Sequence, residues 1–166
     1  MHRLTMMAGA LCVALMTSAV AIAQQPPPPA PDYGPTVTLE QAQKAVNAAL
    51  AEAKKGPYPM AITVVAPSGD LVYFLRMDGT AYASLAISQH KARAAATFKR
   101  PTKALEERVA AGGIGITVLT LDGVIASAGG IPLMPNGKII GAIGVSGGPT
   151  GVFDSVPAQA GADALK

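Results

Sequence analysis

The residues best suited to chemistry lie together in one basic segment. Residues 91–108 carry six lysine or arginine side chains against two glutamates, and His90 directly precedes them. An imidazole beside cations and an apolar helix face suits haem, whose iron binds a ring nitrogen and whose propionates pair with cations. Haem is therefore a candidate cofactor, with His90 as the metal ligand and Lys91, Arg93 and Arg100 near the propionates. The alternative, which the residues alone favour, is a solvated basic face whose histidine binds nothing.

A second motif is typical of serine hydrolases but lacks the rest of their machinery. Residues 144–148 read G-x-S-x-G around Ser146, the pattern of a nucleophile elbow. A hydrolase of that class needs a histidine later in the chain than its serine, and none follows Ser146. The other glycine pairs lack the lysine and the spacing of phosphate-binding loops, so we interpret them as turns and bulges. We predict no catalytic residues, which disfavours an enzyme without deciding the question.

Residues 1–23 have the pattern of a cleavable signal peptide. A basic start is followed by an apolar run from Leu4 to Ala23 that ends in the sequence AIA. Cleavage would remove His2 and Cys12, so the predicted mature sequence has no thiol and His90 is its sole histidine. We predict a periplasmic or secreted protein with no membrane span after cleavage. An N-terminal membrane anchor is the alternative.

The charge of the chain does not indicate nucleic acid as a partner. Loss of Arg3 with the signal lowers the formal net charge from +3 by one, and aromatic residues make up 4% of the sequence. Proteins that bind nucleic acid combine a concentrated basic surface with stacking aromatic side chains or a recognisable motif. We therefore predict no nucleic-acid partner.

Proline separates the signal from a single folded domain. Residues 24–37 begin with QQPPPPAPDYGP, a composition that favours an extended tether outside the fold. Residues 38–166 have the length of one domain and enough aliphatic side chains to bury one core. The predicted organisation is therefore a signal peptide, a tether and one domain.

The pattern of that domain predicts an α+β fold with a central antiparallel sheet of about five strands flanked by helices. Thr38 and Gln41 form a capping box that begins a helix, and the alanine-rich residues 81–98 favour another. Thr102 and Asp154 are expected to cap two later helices, with Pro157 in the first turn of the last one. The expected strands are residues 60–66, 71–77, 115–121, 124–128 and 138–145, with turns at 67–70, 122–123 and 136–137.

Several motifs in succession resemble one known family. They are VYFLRMDG at 72–79, KARAAATFKRPT at 91–102, GGIP at 129–132 and GAIGVSG at 141–147. Their order and spacing are similar to those of the haem-degrading or haem-binding domain family of HbpS and GlcG type. The resemblance covers essentially the whole folded part of the chain.

This resemblance implies a central antiparallel sheet flanked by helices, assembly into homo-oligomers and, in some members, binding of haem or its iron, sometimes with haem degradation. Residues 150–157 depart from the family pattern, because they keep Asp154 but lack the glutamates common before the last helix. An iron contact made there in relatives is therefore not expected here. The role of His90 is inferred from its chemistry and is not implied by the family.

We expect an exported haem-binding protein that captures, buffers or hands on haem or its iron. One alternative is an oligomeric structural module or sensor partner without catalysis, with an envelope protein as its partner. A further alternative is a haem-degrading enzyme.

Overall fold

The computed structural model describes residues 28–166, so the predicted signal peptide and the first part of the tether lie outside the described residues. This part of the chain contains four α-helices and four β-strands. In chain order they are α1 Leu39–Ala53, β1 Ala61–Val65, β2 Leu71–Arg76, α2 Tyr82–Thr97, α3 Thr102–Ala110, β3 Gly130–Leu133, β4 Gly141–Ser146 and α4 Gly151–Asp163. Two 3-10 helices, Gly113–Thr120 and Pro135–Gly137, precede and follow β3.

The strands form one antiparallel sheet in the order β2-β1-β4-β3. On one face, Ile62 and Val145, which are opposite each other in β1 and β4, pack with α1 and α4. On the other face, Val65 and Ala142 pack against the alanines of α2. Helices therefore cover both faces of the sheet. The predicted α+β domain with a central antiparallel sheet is confirmed, with four strands in place of about five.

Helix α2 lies unusually close to the sheet. A Cβ atom built on Gly144 would lie 2.1 Å from the carbonyl oxygen of Ser88, so β4 passes directly beneath the helix backbone. The buried hydroxyls of Thr63 and Ser88 form a hydrogen bond of 2.8 Å across the same interface. Small residues at this contact allow the close approach, as the alanine-rich sequence predicts.

Three local predictions are confirmed in detail. The Thr38 hydroxyl accepts from the Gln41 amide, and the Gln41 side chain accepts from the Thr38 amide, which together form the capping box of α1. Strands β1 and β2 form the expected hairpin. Asn136 and Gly137 both have positive φ, 55° and 75°, in the connection between β3 and β4. That conformation is the one an Asn-Gly hairpin turn requires.

The strands expected at residues 115–121 and 124–128 are wrong. The first segment lies within a 3-10 helix, in which the hydroxyls of Thr117 and Thr120 each donate to the carbonyl oxygen three residues earlier. The second is an irregular segment that ends where the Ala128 amide donates to Glu106. An unpredicted strand, β3, follows at the edge of the sheet, where Pro132 removes no hydrogen bond from a central ladder.

The predicted starts of the last two helices also need correction. Pro101 precedes α3, and the Thr102 hydroxyl accepts from the Gly130 amide instead of capping its own helix. Helix α4 begins at Gly151, three residues before Asp154, and the Asp154 side chain makes no capping bond within it. Because the helix starts this early, Pro157 lies inside α4 beyond its first turn.

The end of the proline-rich stretch joins the fold, although the sequence suggested that it stays outside. The Ile139 amide donates to Asp32, and the amides of Gly34 and Val37 donate to Ile139 and Ile140. The Val37 side chain is buried in the main core. The prolines are compatible with this pairing because the amides between them supply the hydrogen bonds.

Candidate functional site

A buried ion pair connects α2 to the start of α4. The Lys91 Nζ lies 2.6 Å from the Asp154 Oδ2, and the two side chains are 1% and 4% exposed. The second carboxylate oxygen, Oδ1, accepts from the Gly148 amide at 2.8 Å. A charge buried this deeply is tolerated only when it is paired and hydrogen-bonded. The pair therefore fixes the position of α2 relative to α4 at this point.

Two glycines bring the backbone of β3 against this pair. A Cβ atom on Gly129 would lie 2.7 Å from the Asp154 Cβ, and one on Gly130 would lie 2.3 Å from the Lys91 carbonyl oxygen. The buried Thr102 hydroxyl accepts from the Gly130 amide at 2.9 Å. We call these five residues, Lys91, Thr102, Gly129, Gly130 and Asp154, the junction. The junction therefore connects α2, α3, β3 and α4 through buried contacts.

A pocket of about 630 Å³ lies beside the junction, between α3 and α4. Its apolar walls include Ala128, Ile131, Val152 and Val156, and its polar lining consists of Lys103, Glu106, Ser155, Gln159 and Asp163. Ligand pockets in proteins commonly have volumes of roughly 300–1,000 Å³ and mostly apolar walls. The pocket is therefore large enough for a small organic molecule.

The charged groups of this pocket differ in how they are compensated. Asp163 accepts hydrogen bonds from Lys166 and Gln159, which lower its pKa from the usual 3.8. The Lys103 Nζ lies 3.6 Å from the Oε1 of Glu107, a residue that does not line the pocket. Glu106 forms no ion pair with any residue of the described range, and its Oε2 accepts from the Ala128 amide at 2.6 Å. Glu106 is thus a fixed carboxylate without an ion-pair partner among the described residues.

The four side chains predicted to bind haem do not come together in this pocket. His90 is exposed on α2, whereas its neighbour Lys91 is buried in the ion pair. Arg93 is exposed and donates to the Gly69 carbonyl oxygen in the β1–β2 turn. Arg100 lines a groove of about 350 Å³ beside β3, which adjoins the pocket and shares Pro101, Ile131 and Gln159 with it. The roles of these residues stay predictions, with His90 and Arg93 accessible and Lys91 engaged elsewhere.

The apolar helix face expected beside His90 is only partly available. Ala94 and Phe98 pack in a cluster with Leu105 and Val118, which takes them into the core. Ile87, one turn before His90, is half-buried. The accessible apolar surface next to the imidazole is therefore small.

Comparison with known proteins identifies the family of the chain. Residues 37–163 match the family model described as haem degrading protein HbpS-like. The chain belongs to the HbpS-like family. The match spans the described domain from the buried Val37 to the end of α4. The predicted relationship to proteins of HbpS and GlcG type is thus confirmed.

Individual relatives agree with this assignment. The protein GlcG of Escherichia coli K12 is 38% identical over 110 residues, which are 66% of this chain and 81% of GlcG. The crystal structure of a double mutant of Streptomyces reticuli HbpS is 31% identical, with a TM-score of 0.73 over 90% of this chain and 99% of that one. The crystal structure of a PduOC–haem complex has a TM-score of 0.70 at 24% identity, covers 79% of this chain and 96% of that one, and shares the fold.

Sequence reasoning treated Lys91 as a surface cation and Asp154 as a helix cap, and it missed that they pair. Helical spacing carries a signal for this. Lys91 lies on the same face of α2 as Ser88 and Ala95, both of which are small residues facing the sheet. A lysine in such a row is expected to be buried and to need an anionic partner.

Two features are absent from residues 28–166. Within that range, no three histidine, cysteine, aspartate or glutamate side chains form a group that could hold a metal ion. No helix in the same range is both long and apolar enough to cross a membrane.

Proposed function

We propose that this HbpS-like protein is an exported haem-binding protein that captures, buffers or hands on haem or its iron. The observation that carries the proposal is the exposure of His90 and, one turn further along α2, of Arg93, whose Nε donates to the Gly69 carbonyl oxygen. The haem-related description of the family supports the same ligand. Residues three apart on a helix are neighbours on its surface, so both groups can reach one ligand.

The residues around His90 offer polar contacts and a small apolar surface to a surface-bound haem. A neutral imidazole is the commonest nitrogen ligand of haem iron, and arginine pairs readily with carboxylates such as propionates. Ala86 and Ile87 supply the adjoining apolar surface, the first exposed and the second half-buried. When haem is bound, its iron would form a coordination bond with His90 at the protein surface, and this bond can exchange. A site of this openness favours capture and release over long-term retention, because much of the ligand stays in solvent.

Lys91 and Arg100, which the sequence predicted near the propionates, are not principal haem contacts in this proposal. Lys91 would have to leave Asp154 to reach a propionate, which would leave a buried carboxylate without its cation. Arg100 donates to the Phe98 carbonyl oxygen and lies three residues beyond the end of α2. We therefore assign the principal contacts to His90 and Arg93.

Titration of the mature protein with haemin tests the proposal. We expect a saturable shift of the Soret band that His90→Ala weakens strongly and Arg93→Ala weakens less. Asn47→Ala, a replacement of an exposed polar residue on α1, is the matched control and should leave binding unchanged. Absence of a saturable shift would refute haem binding. Unchanged binding by the His90 variant would refute only the ligand assignment.

Export is proposed from residues 1–23 and requires a separate experiment. We expect the protein from the periplasmic or secreted fraction to begin at Gln24, as determined by mass spectrometry of its N-terminus. Recovery in the cytoplasm with Met1 intact would refute export without bearing on haem binding.

Exposed apolar side chains favour a second proposal, that the protein acts through an assembly of identical subunits. Ile114, Ile116 and Leu119 on the first 3-10 helix are 80%, 53% and 53% exposed. Clustered aliphatic side chains of this kind mark surfaces that contact another protein. Light scattering should give a multiple of the subunit mass, and Ile114→Asp should reduce it. A monomer at micromolar concentration would refute this proposal.

A further inference from the structure

We propose that the pocket between α3 and α4 binds a small organic cation with an apolar body, whose charged group pairs with the carboxylate of Glu106. This site is distinct from the haem site proposed at His90, since His90 is not among the residues that line the pocket. The inference rests on the shape of the pocket and on the charges of its lining.

The walls of the pocket provide the apolar half of the site. Val152 and Val156, one turn apart on α4, are 68% and 55% exposed and face the pocket. Ile131 of β3 and Ala128 complete this side. Aliphatic side chains that remain exposed around a concave surface gain free energy when an apolar ligand covers them.

Glu106 provides the polar half of the site. Its Oε2 accepts from the Ala128 amide at 2.6 Å, which fixes the carboxylate at the pocket wall and leaves Oε1 available. The other two charged lining residues already have partners, because Lys103 lies near Glu107 and Asp163 pairs with Lys166. Glu106 is therefore the lining carboxylate that a cationic ligand can neutralise.

The same features disfavour haem in this pocket. Among the described residues, the lining contains no histidine, methionine, cysteine or tyrosine to bind iron axially. Two propionates would also lie against a lining with two carboxylates and one ammonium. A monovalent ammonium on a hydrocarbon chain meets both the charge and the apolarity of the site.

Three probes with the same six-carbon chain test the proposal: n-hexylammonium, n-hexanoate and 1-hexanol. Binding to the mature protein without haem is measured by calorimetry or by amide chemical shifts. For the ammonium we expect a dissociation constant on the order of 1 mM, as suits a ligand of this size, and binding about fivefold or more tighter than that of the other probes.

Two variants and one control separate the parts of the site. Glu106→Gln should remove the preference for the ammonium while keeping the affinity for hexanol. Val156→Trp should fill the pocket and abolish binding of all three probes. Asp122→Asn, which removes one exposed negative charge elsewhere, should change nothing.

Four outcomes would overturn the inference. One is equal binding of hexylammonium and hexanoate. The second is an unchanged ammonium affinity in Glu106→Gln. The third is an absence of binding up to about 50 mM, far above the value expected from ligand size. If Val156→Trp alters the number of subunits in light scattering, the groove is a contact between copies and the inference is wrong. None of these results affects the haem titration at His90.

Discussion

Replacing Asp154 by alanine should cause a large loss of stability, because two interactions are lost and a small void is left behind. The buried ammonium of Lys91 loses its partner at 2.6 Å, and the Gly148 amide loses its acceptor at 2.8 Å. A small void also remains at a side chain that is 4% exposed. Removing one member of a buried pair costs about 3–5 kcal/mol, and we expect about 4 kcal/mol here. A domain of this size has a free energy of unfolding of roughly 5–15 kcal/mol.

The measurement is urea-induced unfolding of the mature protein, followed by far-ultraviolet circular dichroism. The matched control is Glu107→Ala, which breaks the Lys103–Glu107 pair, where both side chains are 66% exposed. That change should cost less than about 1 kcal/mol, as is usual for exposed pairs. The double variant Lys91→Met/Asp154→Leu removes both charges and should recover most of the lost stability.

The comparison of single and double variants determines whether the reasoning holds. If Asp154→Ala fails to fold, the double variant should still fold, because it buries no unpaired charge. A loss below about 1 kcal/mol in Asp154→Ala would refute the claim that the pair is buried and charged. A double variant as unstable as the single one would show that shape, and not charge, accounts for the loss.

Three further predictions concern single contacts. Gly144→Ala should destabilise the domain by about 1–3 kcal/mol in the same assay, because the new Cβ would meet the Ser88 carbonyl oxygen of α2 at 2.1 Å. Unchanged stability would contradict the close packing of α2 on β4. Thr102→Val should lower the free energy of unfolding by about 1–3 kcal/mol, since the buried Gly130 amide loses its acceptor. Unchanged stability would contradict the hydrogen bond between Thr102 and Gly130. The lowered pKa of Asp163 means that its contribution to stability is complete above 3.8 and is lost as pH falls through the lower folded value. A carboxyl titration by NMR should find that pKa below 3.8, and Lys166→Ala should raise it.

Local signals predicted the elements that depend on neighbouring residues. The capping box of Thr38 and Gln41 encodes the start of α1 through contacts three residues apart. The Asn136–Gly137 turn is similarly local, because both residues tolerate the positive φ of the turn. Where the interaction lies within a few residues, the sequence pattern determines the structure.

Residues 113–133 show where such reasoning fails. An apolar run at 115–121 is compatible with either a buried strand or a helix, and apolarity alone cannot distinguish them. The structure forms a 3-10 helix because Gly115 lies against the Arg108 carbonyl oxygen and Val118 packs on Leu105 of α3. Strand β3 was missed for the opposite reason, because Gly130 and Pro132 are typical of turns. Tertiary contacts, which a local pattern does not contain, determine both segments.

The candidate site was predictable in composition more than in arrangement. His90 and Lys91 are adjacent in sequence, and their grouping as ligands assumed that they face the same way. Successive residues of a helix point about 100° apart. Burial of Lys91 against Asp154 therefore directs His90 to solvent.

The same geometry links the two ligand sites that we propose. Asp154 points inward from α4 to meet Lys91, and this orientation turns Val152 and Val156, two residues away on either side, towards the pocket. On α2 the inward Lys91 leaves His90 outside. The buried ion pair thus lies on the inward face of both helices, and the residues that each helix presents to a ligand lie away from that face. The pair itself contacts neither ligand in these proposals, so its role is to position the groups that do.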